Sequence, residues 1–261
     1  MKIWLFLFLM FMISACTSPS EYAIQTAIAQ TESAKISESA IKTAIAKTQT
    51  AELPGVTQCK LKSPLKNEWE TIVCDTFDNN KNNWWTGLDT DIGVDINIHG
   101  GKYYIDYSSE NATGYTTGFY TALQVGEAKD YVVSLTGKMT SVYKQCNWGL
   151  IVRGDWDEGY EFFVDNQGNY FLTNNGASNS YIGNIKYGSH NAIRWDSENT
   201  ITILVEGNKM SFYVNGKPII SHEANNSTKT QISWSVWAAE GVTVLYEFDD
   251  LLIKEKSSFS G

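Results

Sequence analysis

The sequence predicts an all-β domain, two curved antiparallel sheets packed as a sandwich, preceded by a single N-terminal α-helical stalk. Three observations carry that expectation. From Gln58 onward about twelve short runs alternate or cluster apolar residues between Gly- and Asn-rich turns, and no helical pattern exceeds two turns. The 20 Gly and 14 Tyr stand against only 4 Pro, a balance suited to strands joined by tight turns. The stretch Ser20 to Glu52 has the opposite texture, with no Gly, Pro or Trp.

The chain of 261 residues has room for one large domain plus appendages. Residues 1–15 read as a signal peptide: Lys2 gives a positive start and Ile3 to Ile13 is one apolar run, too short to span a bilayer comfortably. Ile13-Ser14-Ala15-Cys16 resembles the lipobox of bacterial lipoproteins. The resemblance implies that Cys16 is acylated and becomes the mature N-terminus, so that the membrane is a partner through the lipid and the chain faces the extracytoplasmic side. Two or three acyl chains hold stably, at about 0.8 kcal/mol per buried methylene.

Residues 16–55 form the lipidated Cys and the spacer. Ser20 suits an N-cap, Glu21 falls in the first turn, and Pro54-Gly55 stops the helix. A helix from residue 21 to residue 51 would be about 45 Å long. Ala23 to Thr31 returns as Ala40 to Thr48, and this spacing of 17 residues sustains no heptad seam. Its Thr-Ala-Ile-Ala-Lys-Thr pattern is similar to spacers of envelope lipoproteins. The formal charge of −9, with no run of basic residues, excludes a nucleic-acid partner.

The domain proper runs over 56–261 and is organised around Asn147 to Leu172. Trp148 to Arg153, Tyr160 to Val164 and Asn169 to Thr173 read as consecutive strands, with Tyr160, Phe162 and Val164 on one face and Glu161, Phe163 and Asp165 on the other. The acidic tip Asp155-Trp156-Asp157-Glu158-Gly159 joins the first pair. Further strands are expected at Trp69 to Phe77, Lys102 to Tyr107, Thr116 to Leu123 and Tyr131 to Thr140. Asn199 to Glu206, Met210 to Val214, Lys217 to Ser221, Gln231 to Ala239 and Thr243 to Lys254 complete the set. Thr173 to Asn184 reads as a long loop, and Asn215-Gly216 as a hairpin turn of positive φ.

Trp148-Gly149-Leu150-Ile151-Val152-Arg153, Tyr160-x-Phe162-x-Val164, Phe212-Tyr213-Val214-Asn215-Gly216-Lys217 and Phe248-Asp249-Asp250-Leu251 form a series that resembles the concanavalin A-like (laminin-G-like) jelly roll. Within it the nearest likeness is to the domain family that includes 3-keto-disaccharide hydrolases. The resemblance covers residues 68–255 and implies a jelly-roll fold, which hosts lectins, glycosidases and plain interaction modules alike.

The chemical motifs lean away from catalysis. Retaining glycosidases of this fold place carboxylates as Glu-x-Asp-x-x-Glu along one strand; Glu247-Phe248-Asp249 begins the pattern, but position 252 is Leu. His99, His190 and His222 lack ligand spacing. No cofactor is implied beyond a structural calcium, for which Asp78 with Asp249 or Asp250 offers hard oxygen ligands where first and last strands of a jelly roll meet. With Cys16 lipidated, three cysteines remain; Cys59–Cys74 is the favoured disulfide, leaving Cys146 buried. Aromatics carry the binding signal. A glycan ligand is expected to stack on Trp85, Trp156 or Trp237, with Trp84 also near a loop, while Arg153, Asp155, Asp157 and Tyr160 surround Trp156. Trp148, Trp195 and Trp234 are assigned to the core. The reading is a lipid-anchored, non-catalytic carbohydrate-binding module. The alternatives are a glycoside-directed hydrolase of the same fold and a structural envelope domain that contacts other proteins.

Overall fold

The computed structural model describes residue 59 and residues 68–91, 93–108, 117–124, 130–141, 146–154, 159–175, 181–224, 231–239 and 241–256. The chain divides into two units, Met1–Val56 and Thr57–Gly261, and every described residue belongs to the second. Cys16, the expected signal peptide and the expected stalk helix lie outside them.

Fifteen strands make up the described part: β1 Glu70–Asp75, β2 Gly87–Asp89, β3 Val94–His99, β4 Lys102–Ser108, β5 Thr117–Gln124, β6 Tyr131–Thr140, β7 Cys146–Val152, β8 Gly159–Asp165, β9 Asn169–Asn175, β10 Tyr181–Ser189, β11 Asn199–Glu206, β12 Lys209–Val214, β13 Lys217–Glu223, β14 Gln231–Ala238 and β15 Thr243–Glu255. They form two antiparallel sheets. One has nine strands, ordered β13-β12-β11-β6-β15-β4-β3-β2 with β1 also on β15; the other has six, ordered β10-β9-β8-β7-β14-β5.

Strand β15 is the spine of the larger sheet. Its first half pairs with β4 and its second half with β1, while β6 runs along its other edge. The change of partner falls at a bulge after Asp249, where Asp250 takes a left-handed φ of 51°. The extra residue shifts the alternation, so Val244, Tyr246 and Phe248 point inward before it and Leu251 and Ile253 after it.

The two sheets pack face to face on aromatic rings. Trp148 of β7 meets Phe248 of β15 edge-on at 5.4 Å, Trp234 of β14 meets Tyr103 of β4 at 5.9 Å, and Phe162 of β8 stacks on Phe212 of β12 at 5.0 Å. Such pairs contribute about 0.5–1.5 kcal/mol each beyond area burial. On the far face of the larger sheet a smaller cluster forms, in which Trp69 covers Val132 and Leu204. Beside it Ser134 and Thr136 of β6 pair their hydroxyls with Thr202 and Thr200 of β11 at 3.0 and 2.9 Å.

The central trio is present as three paired strands with the expected facing: Tyr160, Phe162 and Val164 lie in the core. Three strands were not expected. Val94–His99 alternates Val, Ile and Ile inward with Asp, Asn and His outward, a signal legible in the residues themselves. Gly87–Asp89 is too short to show a period. Tyr181–Ser189 begins inside the run expected to be a loop, because its backbone pairs along β9 as an edge strand. Two tryptophan assignments are also corrected. Trp195 is 66% exposed rather than core, since Ile193 fills the apolar slot of its loop at 5% exposure. Trp84 is buried, its Nε1 donating to Asp75 Oδ2 at 2.7 Å.

Candidate functional site

The acidic tip, Asp155, Trp156 and Asp157, lies outside the described residues. Its flanks are placed, and neither is open. Arg153, expected beside Trp156 as a ligand-binding residue, is only 6% exposed. Strand β7 ends at Val152, and Arg153 takes a left-handed φ of 58°, so the strand's alternation no longer governs it. Its backbone N–H donates to the Tyr131 hydroxyl at 3.2 Å, and burial holds that phenol well above its ordinary pKa. Tyr160 is 4% exposed, packed in the core beside His222 at 5.3 Å. Of the remaining expected aromatics, Trp85 is 45% exposed and its ring folds over Gly87. Trp237 is half-buried on the outer face of β14.

The outer face of the six-stranded sheet carries Trp237 alone of the expected and described binding residues, and sets it in a grid that strand reading alone could not assemble. One row runs Trp237, Asn147, Asp165. The next runs Ser235, Gly149, Phe163, Phe171, Tyr187. The third runs Ser233, Ile151, Glu161, Thr173. Strand spacing near 4.8 Å and same-face spacing near 6.7 Å make this grid about 13 by 19 Å, but Ser233, Ser235, Ile151, Phe163, Asp165 and Thr173 are buried within it and the open position is Tyr187.

The middle row is an aromatic stack. Phe163 and Phe171 lie 4.8 Å apart at an interplanar angle of 12°, and Phe171 and Tyr187 lie 6.3 Å apart at 20°. Tyr187 stands on the edge strand β10 and is 73% exposed. The stack therefore ends in an open ring face. Gly149 lets β7 and β8 approach at its inner end: a Cβ there would come 2.4 Å from the Phe162 carbonyl oxygen and 2.5 Å from Phe163 Cβ.

Polar groups surround the stack, most of them buried. Ser235 Oγ donates to Glu161 Oε1. Asp165 is tied into its own turn, accepting from the N–H groups of Gln167 and Asn169 at 2.8 Å each and from Asn169 Nδ2 at 2.8 Å. Ser233 and Thr173 are recessed, at 0% and 1% exposure, and among the described residues their hydroxyls make no hydrogen bond. Phe163 and Phe171 carried no binding expectation from sequence. Their membership became visible only when the register put Phe163, Phe171 and Tyr187 side by side.

Glu247 lies between two lysines, 2.9 Å from Lys102 and 3.9 Å from Lys138, and the bulge after Asp249 interrupts the alternation that the glycosidase pattern needs. Burial raises the Asp249 carboxyl above its usual range. Asp78 is exposed and accepts from Thr76 Oγ1 at 2.7 Å; Asp249 Oδ1 accepts the Asp250 N–H at 2.7 Å. Among the described residues no group of three or more His, Cys, Asp or Glu is gathered to hold a metal ion. Cys59 is disulfide-bonded to Cys74, with Cα atoms 5.6 Å apart, while Cys146 is a buried thiol that burial pushes up to about 11.

No family model and no curated protein sequence matches this chain. Its structure is similar to one solved for the endo-acting O-glycanases that prominent members of the human gut microbiota express to initiate mucin breakdown, at 10% identity and TM-score 0.54, covering 72% of this chain and 100% of that one. It is also similar to the CBM2 module of the evolved Dit of Lactobacillus casei BL23 phage J-1, at 10% identity and TM-score 0.49 over 73% and 97% of the two chains. A third likeness is to the carbohydrate-binding module CBM66 from Bacillus subtilis, at 14% identity and TM-score 0.40 over 59% and 82%. At these identities the fold alone is shared.

Proposed function

We propose that this chain is a non-catalytic carbohydrate-binding domain of the jelly-roll type, held outside the cell membrane by acyl chains on Cys16 and a helical spacer. The observation that carries the binding reading is the stack Phe163–Phe171–Tyr187, which ends in an exposed ring, with Glu161, Ser235 and Trp237 farther along the same sheet face. A pyranose has an apolar C–H face and a rim of hydroxyls. The first is matched by a flat aromatic face, the second by carboxylate, amide and hydroxyl groups beside it. Backing by two further rings holds Tyr187 in place, so little side-chain freedom is lost on binding. The Glu-x-Asp-x-x-Glu pattern that begins at Glu247 meets Leu at position 252, which supports binding over hydrolysis. The anchor rests on the lipobox-like Ile13 to Cys16.

A glycan array probed with the soluble chain from residue 17 onward tests the reading, run with calcium and with chelator because Asp78, Asp249 and Asp250 offer oxygen ligands. Phe171→Ala and Tyr187→Ala should each weaken binding about tenfold, roughly 1.4 kcal/mol, with Trp156→Ala as a further arm. Wild-type protein that retains no glycan sinks the reading, and release of shortened sugar would favour the hydrolase instead. For the anchor, Cys16→Ser should abolish palmitate labelling and membrane retention in fractionated cells.

A further inference from the structure

We infer that the loop 190–198 between β10 and β11 is a second carbohydrate subsite, with the Trp195 ring as platform and Arg194 and Asp196 as partners for the sugar's hydroxyls. This rests on the carbohydrate-binding reading but uses a ring that is not part of the Phe163–Phe171–Tyr187 stack. Trp195 leaves 66% of its surface in water, more than any other described tryptophan. The loop that carries it is fixed from below. Asn199, itself 2% exposed, donates from Nδ2 to the Arg194 carbonyl at 2.6 Å and accepts the Arg194 N–H at 2.8 Å, clasping the residue before Trp195 from both sides. Asn215, in the left-handed turn that joins β12 to β13, donates to the Ala192 carbonyl at 2.7 Å and to Asn199 Oδ1 at 2.9 Å. His190 accepts the Ala192 N–H at 3.1 Å, and Ile193 plugs into the core. The ring is thus held out, and the ordering of its loop is complete before any ligand arrives.

The surroundings choose the ligand class. Arg194, Asp196, Ser197 and Glu198 are all exposed, and Glu198 pairs with Lys102 at 3.4 Å. The core of a protein interface is depleted of charged residues around its aromatic anchors, unlike these neighbours. An anionic membrane surface is opposed by Asp196 and Glu198, and nucleic acid by the acidic balance of the chain. A neutral, flat ligand with one apolar face and a hydroxyl rim fits a lone ring bordered by charges of both signs.

The test uses the soluble chain from residue 17 onward labelled with 5-fluorotryptophan, the Trp195 resonance being assigned with Trp195→Phe. The probes are cellopentaose, xylopentaose and laminaripentaose, together with the strongest binder from the array. The Trp195 resonance should shift on titration. Trp195→Ala should weaken binding at least fivefold at an unchanged melting temperature, and Trp195→Phe should weaken it less. Effects of Trp195→Ala and Tyr187→Ala should multiply in the double variant. A still Trp195 resonance at saturation, or wild-type affinity in Trp195→Ala, overturns the second subsite while leaving the Tyr187 stack intact. Wild-type protein that binds none of these sugars, nor any on the array, overturns both.

Discussion

Asp75 shows how one buried polar side chain can organise a loop. It is 1% exposed at the end of β1 and accepts from the Phe77 N–H at 2.8 Å, from Asn82 Nδ2 and from Trp84 Nε1 at 2.7 Å. Asn80 closes the same loop, accepting the Trp84 N–H at 2.6 Å and donating to its carbonyl at 2.9 Å. Together these bonds turn a polar run into a clamp that drives Trp84 against Phe77 and Trp234. Asp75→Ala would leave the buried donors of Phe77 and Trp84 without an acceptor. At about 1–3 kcal/mol for each orphaned group, the loss should reach roughly 2–5 kcal/mol. Urea unfolding reads it directly, and Asp75→Asn, which keeps one acceptor, should recover part. A loss below about 1 kcal/mol would mean that the clamp contributes little.

Strands β6, β7 and β15 meet where the two sheets pack closely. Gly137 of β6 sits opposite Phe248, and a Cβ there would come 2.8 Å from both Phe248 Cε1 and Trp148 Cζ2. The missing side chain is therefore what admits the ring pair that bridges the two sheets. Gly137→Ala should destabilise by about 1–3 kcal/mol through overpacking, although alanine ordinarily suits a strand better than glycine. Chemical denaturation gives the value, and an unchanged or raised midpoint would show that the rings can shift apart. The β15 bulge works at the same level. Without the extra residue at Asp250, either Phe248 or Leu251 would turn away from the core, since a one-residue change reverses every later side chain.

At the level of the whole domain, the disulfide ties the chain's approach to the sheet. Cys59 bonds to Cys74 of β1, and its Sγ lies 3.5 Å from the carbonyl oxygen of Leu251 on β15, so the approach is clipped where first and last strands run side by side. Closing a loop across 15 residues of sequence removes unfolded-state freedom equivalent to about 3 kcal/mol. Reduction should lower the melting temperature by roughly 6–12 °C for a domain of this size. Thermal melts with and without a phosphine reductant measure it, and coincident curves would show that the strand pairing alone secures this end.

The all-β class, the order of most strands, the central trio with its inward and outward faces, and the Asn215-Gly216 turn were legible because each depends on neighbours in the chain. Period-two alternation and the φ demands of a turn are local properties, written within a few residues. The tertiary structure decided what local pattern cannot carry. Trp84 and Trp195 both sit beside polar turns, yet one is buried because Asp75 receives its indole N–H, and the other is exposed because Ile193 already occupies the core. Arg153 left its strand's alternation at a single left-handed residue. Phe163, Phe171 and Tyr187 come from three strands, and only the register between those strands sets their rings face to face. Cross-strand register is fixed by packing and turn geometry acting together, so a binding face assembled from it is a property of the folded sheet.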